Sequence, residues 1–190
     1  MKSFDSSAAE TIPIRLLISI TVIAAIAVLI GTGMGLLRTS LAQRQVEQQC
    51  HDLVSSLNTM VYGGAPRDLE GWLAAAGTTR FQTLTLPDNL VYLSFGGDPD
   101  AENTGVLHSH LTDDGSVIFY RVHGGSKQVI WLSQGMYRFR EGYHTNTTWA
   151  LEGDGESYIL THGGTSTLVF ELVEKNHETY ILIHGNDGIE

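Results

Sequence analysis

The chain has 190 residues and carries 11 Lys and Arg against 21 Asp and Glu, giving a formal net charge of −10. Acidity on this scale, without a clustered basic segment, argues against a nucleic-acid partner. A single cysteine, Cys50, excludes an internal disulfide framework and a cysteine-based zinc site. The sequence also has no G-x-S-x-G, H-E-x-x-H or P-loop motif, so we do not expect an enzyme. The alternative is an extracytoplasmic hydrolase whose His and Asp groups converge from distant strands.

A short polar tail at 1–15 precedes an apolar run at 16–37 that has no charged side chain. As a helix, this run is about 33 Å long, and the hydrocarbon core of a bilayer is about 30 Å thick. The run therefore predicts a transmembrane helix. The alternative is a secreted protein with a cleaved signal segment, because Ser40-Leu41-Ala42 resembles a cleavage site. The run is nevertheless longer than the usual apolar region of about 7–15 residues in signal peptides.

The orientation of this helix is suggested by features at its ends and in the following domain. Similar numbers of basic residues lie on both sides of the run, so the positive-inside rule hardly distinguishes the two orientations. Asn146 begins an Asn-Thr-Thr sequon, a possible glycosylation site that would suit an external domain. We expect the tail inside the cell and the C-terminal domain outside the cytoplasm, at the cell membrane.

Small residues recur along the apolar run. Ala27, Gly31 and Gly35 are spaced by four, which places them on one side of a helix. Such a stripe lets a second helix approach closely within a membrane, so it predicts self-association. The alternative is that glycine is simply common in membrane spans. Glu10 lies just before the run, where a carboxylate needs either a partner or the headgroup layer.

An amphipathic continuation of the helix is predicted at 38–62. Apolar residues follow a 4-3-4-3 spacing that is typical of one helical face: Val46, Cys50, Leu53, Leu57 and Met60. We expect one helix from Ile14 to Tyr62 whose outer stripe packs on its own domain. Gly63 and Gly64 end the pattern.

A linker at 63–79 is predicted to contain a short helix from Pro66 to Ala76, and a β-rich domain follows at 80–190. Strands are predicted at Phe81–Leu86, Leu90–Phe95, Val117–Val122, Gln128–Leu132, Tyr137–Arg140, Tyr158–Thr161, Thr167–Val173 and Thr179–His184. The fold class is therefore α+β: a long N-terminal transmembrane and stalk helix, then an antiparallel β-sheet arranged as a sandwich or roll.

Two groups of side chains have spacings that could suit metal ligands. His108 and His110 would share one face of a strand, a spacing used in metal sites. Asp98, Asp100 and Glu102 alternate in a loop that could offer oxygens to calcium, although the loop lacks the pattern of an EF-hand. The alternative in both cases is a solvated turn. We expect no cofactor, with calcium as the option left open.

These features together resemble the archaeal type IV pilin-like proteins. The matching elements are the polar tail Met1–Ala9, Glu10 before the apolar run, a helix of about 50 residues and a β-rich C-terminal domain. The resemblance implies that a peptidase trims the leader. Cleavage after Asp5 would place Glu10 at the fifth mature position, where the family's glutamate pairs with a neighbour's new amino terminus.

The predicted function is a single-pass membrane-anchored envelope protein, either a pilin-like structural subunit or an accessory one. Its predicted partners are the membrane and other subunits that associate through the N-terminal helix. The alternative is a surface binding module that recognises a ligand or partner protein. The aromatic residues considered for such a surface are Trp131, Tyr137, Tyr143 and Trp149.

Overall fold

The computed structural model describes residues 7–71, 76–109, 115–132, 137–144, 149–151 and 156–185. The chain divides into two compact units, residues 1–40 and 41–190. Helix α1 (Ser7–Gly63) contributes residues to both units, so the predicted long helix is confirmed and begins earlier than expected. Strands follow it in sequence, which confirms the α+β class.

All eight predicted strands are present among the described residues, two of them with the predicted ends and the others with ends shifted by up to four residues, and two further short strands occur. In chain order the strands are β1 Arg67–Asp68, β2 Thr79–Leu86, β3 Leu90–Phe95, β4 Val117–Val122, β5 Gln128–Trp131, β6 Arg138–His144, β7 Trp149–Leu151, β8 Tyr158–Leu160, β9 Gly164–Lys175 and β10 Glu178–Gly185.

The larger sheet is mixed, so the prediction of a purely antiparallel sheet is wrong. Its strand order is β1-β9-β10-β6-β7, and β2 also pairs with β9. β1 runs parallel to β9 and β10 runs parallel to β6, whereas the other pairs are antiparallel. Local spacing predicts hairpins between neighbouring strands, but β6 and β10 are separated by three strands and pair only through the tertiary fold.

The smaller sheet is antiparallel, with the order β5-β4-β3-β8. An irregularity in β3 between Leu90 and Tyr92 shifts the register against β4. Leu90, Leu93 and Phe95 therefore all belong to the main core, while Tyr92 belongs to a second, smaller cluster. β3 therefore contains a β-bulge, and its extra residue returns the next apolar side chain to the core face.

The helix predicted from Pro66 to Ala76 is wrong where the structure describes this segment. Arg67 lies in β1, and its guanidinium binds the Glu171 carboxylate through Nε–Oε1 at 2.6 Å and Nη2–Oε2 at 2.8 Å. Both side chains are only 11% exposed. This bidentate ion pair and the pairing with β9 outweigh the local signals for a helix, which are a proline at its start and a glycine at its end.

The predicted stripe on α1 is buried in the main core, as expected. Val46, Leu53 and Leu57 are completely inaccessible to solvent. Both sheets contribute to the same core, in which Phe95 of β3 contacts Phe139 of β6 and Phe170 of β9, with ring centroids 5.5 and 6.2 Å apart. The helix stripe and the two sheets therefore fold as parts of one hydrophobic core.

Two glutamines of α1 bind the open edge of β2. Gln45 donates its side-chain N–H to the Thr85 carbonyl at 2.9 Å, and the Thr85 N–H donates to the Gln49 side-chain oxygen at 3.3 Å. The two glutamines are four residues apart and so lie on one side of the helix. Strand edges with unpaired backbone groups invite pairing with other chains, and this contact blocks the β2 edge.

We predict that replacing Gln45 and Gln49 together with alanine lowers the free energy of unfolding of the 41–190 unit by about 1–3 kcal/mol, because two hydrogen bonds to a strand edge are lost. Urea denaturation of the full chain in detergent measures the change. The matched control is Gln48→Ala, since the Gln48 side chain donates to the exposed Asp52 on the same helix and, within the described residues, makes no hydrogen bond to β2. Equal destabilisation by the control variant would show that the edge contact has no special role.

Candidate functional site: the exposed apolar surface of α1

Large apolar side chains cover the first half of α1 and face solvent. Fourteen of them between Ile14 and Leu41 are at least 50% exposed. Burying one such side chain is worth about 1.5–3 kcal/mol, so leaving this surface in water would cost on the order of tens of kcal/mol. A surface of this size requires a non-aqueous environment or a covering partner.

The apolar side chains surround the helix rather than forming a stripe. Consecutive residues such as Leu16, Leu17 and Ile18 are each more than half exposed, so no polar face separates them. Within the described residues, α1 is the one helix long and apolar enough to cross a membrane, with a best window of mean hydropathy 2.5. None of that window is buried inside the chain, which distinguishes it from the core helix of a globular protein.

Three hydroxyl groups of this segment donate hydrogen bonds to the backbone of the same helix. Ser19 donates to the Arg15 carbonyl at 2.9 Å, Thr21 to the Leu17 carbonyl at 2.8 Å and Thr39 to the Gly35 carbonyl at 3.3 Å. Such bonds to the preceding turn remove the need for water as a partner. These hydroxyl groups, like the apolar side chains around them, are therefore compatible with the hydrocarbon core of a membrane.

The residues predicted to mediate assembly lie on α1. Ala27, Gly31 and Gly35 are exposed, and a Cβ atom added at either glycine would meet nothing within 4 Å. Space for a neighbouring helix therefore exists at this stripe, and self-association there stays a prediction. Glu10 is part of α1, but its side chain lies outside the described part of the structure. Asn146 lies outside the described residues, so its glycosylation also stays a prediction.

The loop considered for calcium already holds two basic side chains. The Lys127 ammonium lies 2.7 Å from Oδ2 of Asp98 and 2.6 Å from the Asp100 carbonyl. Arg121 binds Oδ2 of Asp100 at 3.3 Å, and the Gly105 N–H donates to the other oxygen of that carboxylate. The Lys127 ammonium thus occupies oxygens that a calcium ion would use. Of the three acidic residues in this loop, Glu102 is the exposed one.

Histidines and carboxylates do not form a metal centre elsewhere in the part of the chain that the structure describes. No group of three or more His, Cys, Asp or Glu residues there is arranged to hold an ion. His108 is exposed, and His110 lies outside the described residues, so their proposed pairing is not tested.

The four aromatic residues considered for a binding surface have different environments. Trp131 is 68% exposed and Tyr143 is 43% exposed. Tyr137 is fully buried, and its hydroxyl donates to the side-chain oxygen of Asn58 on α1 at 3.2 Å. Tyr137 is therefore a core residue, and the Trp149 side chain is not described.

Cys50 is a core residue and not a reactive thiol. Its side chain is 1% exposed on the buried stripe of α1. Burial, with a smaller contribution from the negative charge of Glu47, raises the pKa of Cys50 from 9.0 to about 12. A disulfide between two copies through this cysteine is incompatible with the fold.

No family model, no curated protein and no solved structure matches this chain. Sequence reasoning missed two sets of residues that matter: the Gln45 and Gln49 pair at the β2 edge, and Lys127 in the acidic loop. The four-residue spacing of the glutamines was a visible signal, whereas the lysine is 27 residues from Asp100 and gave none.

We predict that a disulfide-exchange reagent labels Cys50 of the native full chain at pH 8 at least about a hundredfold more slowly than it labels the urea-unfolded chain. The reason is that both access and the thiolate fraction are reduced by burial. Because the folded pKa is raised, the thiol should stabilise the fold below pH 9, and this contribution is lost as the pH rises from 9 towards 12. The variant Cys50→Ala is the blank for both measurements. Labelling at the unfolded rate would contradict the assignment.

Proposed function

We propose that the protein is a single-pass membrane-anchored envelope protein in which residues 16–37 span the bilayer and the 41–190 unit lies outside the cytoplasm. The observation that carries this proposal is the fully exposed apolar surface around the first half of α1. A bilayer covers all sides of a helix at once, whereas one folded domain covers only one side. The anchoring therefore explains why no polar face is present.

Charges at the two ends of the apolar run support the same placement. Arg15 precedes the run and Arg38 follows it, with no charged residue between them. Long arginine side chains reach from the ends of a span into the headgroup layer, which favours a helix that stops at both interfaces. With a net charge of −10, the chain offers no general electrostatic attraction to an anionic membrane surface, so the apolar run is the feature that supports membrane attachment.

A pilin-like structural or accessory role is the more specific part of the proposal. It is supported by a single helix, α1, whose first half is apolar all round and whose second half packs on a β-rich unit. Its exposed stripe at Ala27, Gly31 and Gly35 leaves room for another helix. Mass spectrometry of the native amino terminus tests leader processing. A terminus after Asp5 supports the pilin-like role, whereas an intact Met1 rules out leader processing but not membrane anchoring.

The same mass measurement tests the alternative of a cleaved secretory signal. Cleavage after Ala42 would cut α1 at a residue that is 6% exposed in the main core. A mature terminus at Gln43 would show that the apolar run is a signal and not an anchor. External protease added to intact cells tests the orientation, since it should remove the 41–190 unit.

We predict that the full chain floats with phosphatidylcholine vesicles in a density gradient and resists extraction at alkaline pH. The double variant Ile23→Arg and Ile26→Arg should lose this behaviour. Two arginines near the middle of a span cost about 5–7 kcal/mol of insertion free energy.

The matched control for this experiment places the same charges on the 41–190 unit. Phe81→Arg and Val106→Arg change side chains that are 65% and 57% exposed and lie far along the chain from the apolar run. The control variant should float like the unmodified chain. Release of the unmodified chain into the aqueous fraction, with normal folding, would contradict the anchoring proposal.

A further inference from the structure

β5 forms one edge of the smaller sheet, and its outward backbone groups belong to two residues. The Leu132 N–H donates to the Ser116 carbonyl of the segment that leads into β4. Backbone groups alternate in direction along an antiparallel strand, so Gln128 and Ile130 also face β4. The N–H and C=O groups of Val129 and Trp131 therefore point away from the sheet. Within the described residues they have no bonding partner.

The same two residues carry exposed apolar side chains. Val129 is 39% exposed and Trp131 is 68% exposed. They pair with Phe119 and Val117 of β4, and paired residues lie on the same face of a sheet. An apolar strip therefore borders the open edge.

This edge lacks the protection found at β2. Residues 128–131 include no charged residue and no proline, the usual devices that discourage pairing at an edge. The nearest basic residue, Lys127, is held by Asp98 and by the Asp100 carbonyl, and its side chain is 18% exposed. By contrast, the β2 edge is bound by Gln45 and Gln49.

We propose that β5 pairs with β5 of a second copy of this chain across a twofold axis at Ile130. Antiparallel pairing about this axis places Val129 of each copy opposite Trp131 of the other copy. Each copy then offers two N–H and two C=O groups, which gives about four intermolecular hydrogen bonds. The two apolar side chains form cross-strand pairs, and the two four-stranded sheets become one continuous sheet. The arrangement is self-complementary, as a twofold interface must be.

The neutrality of this edge favours a second copy as the partner. A chain with a net charge of −10 repels itself over most of its surface. Residues 128–131 carry no charge, and the neighbouring Asp98 and Asp100 are paired with Lys127 and Arg121. Two copies can therefore approach here without bringing like charges together.

The strength of this contact follows from its size. A four-residue strand buries less than the roughly 1,200 Å² of a small stable interface, so the pairing is weak in dilute solution. Confinement of two anchored copies to one membrane raises their effective concentration and offsets the small area. This last step rests on the proposed anchoring, whereas the pairing geometry does not.

A cross-linking experiment tests the register directly. Full-length Val129→Cys and Trp131→Cys proteins, carrying different tags and the Cys50→Ala change, are mixed in phosphatidylcholine vesicles and treated with a short bis-maleimide. Directly opposed residues lie about 5.5 Å apart between Cα atoms. We expect the mixed pair to cross-link at least about tenfold faster than either protein alone. Equal rates for mixed and single proteins would overturn the proposal.

Substitutions at the edge provide the second test. Trp131→Lys added to the Val129→Cys protein, or Val129→Pro added to the Trp131→Cys protein, should abolish the mixed cross-link while far-ultraviolet circular dichroism stays unchanged. Proline is placed at 129 because the fold does not use the N–H of that residue. Phe81→Lys, at a similarly exposed residue on the bound β2 edge, should leave the mixed cross-link intact. Should Val129→Pro fail to fold, Trp131→Lys alone decides the outcome. Unchanged cross-linking in a folded edge variant would overturn the proposal.

Two separate measurements distinguish pairing through β5 from anchoring in the membrane. Vesicle flotation is scored separately from cross-linking, and the same reaction is run in detergent at high protein concentration. A chain that floats but never cross-links in the expected register is anchored without β5 pairing. A chain that cross-links in detergent but does not float pairs through β5 without being anchored.

Discussion

The buried stripe of α1 is the interaction on which the rest of the structure depends. Side chains from Val46 to Met60 fill the space against strands of both sheets, so the helix is part of the core and not an accessory to it. Loss of one large side chain there would leave a cavity worth several kcal/mol. The Gln45 and Gln49 contacts then hold the same helix along the β2 edge. One segment of helix thereby supplies both apolar packing and protection of a strand edge.

The two halves of α1 obey different physical rules, and the proposed function follows from that difference. In the first half, apolar side chains cover every face and hydroxyls bond to their own helix. In the second half, apolar residues follow the helical period and polar residues bind the β-rich unit. Around the first half, the proposed bilayer excludes water. Around the apolar face of the second half, the β-rich unit excludes it. Both halves belong to one continuous helical element, Ser7–Gly63.

The sequence predicted those features that depend on local periodicity. The stripe from Val46 to Met60 and the strand Val117–Val122 were located correctly, since side-chain spacing alone determines which face is apolar. Features that depend on distant partners were missed. Arg67 joins β1 because Glu171 lies beside it only in the folded chain, and Lys127 reaches Asp98 across 29 residues. The parallel pairing of β6 with β10 and the open edge of β5 likewise follow from topology, which spacing does not encode.

In the proposed arrangement, α1 changes from a lipid-exposed helix to a core-packed helix within one continuous element. Nitroxide spin labels placed singly along residues 16–60 of the full chain in vesicles, in a Cys50→Ala background, measure this through collision rates with oxygen and with a water-soluble nickel complex. We expect high oxygen access on every face of the helix from residue 16 to residue 37. We expect a helical period beyond that, with minima for both reagents at Val46, Leu53 and Leu57. A helical period with water access already present in residues 16–37 would contradict the account.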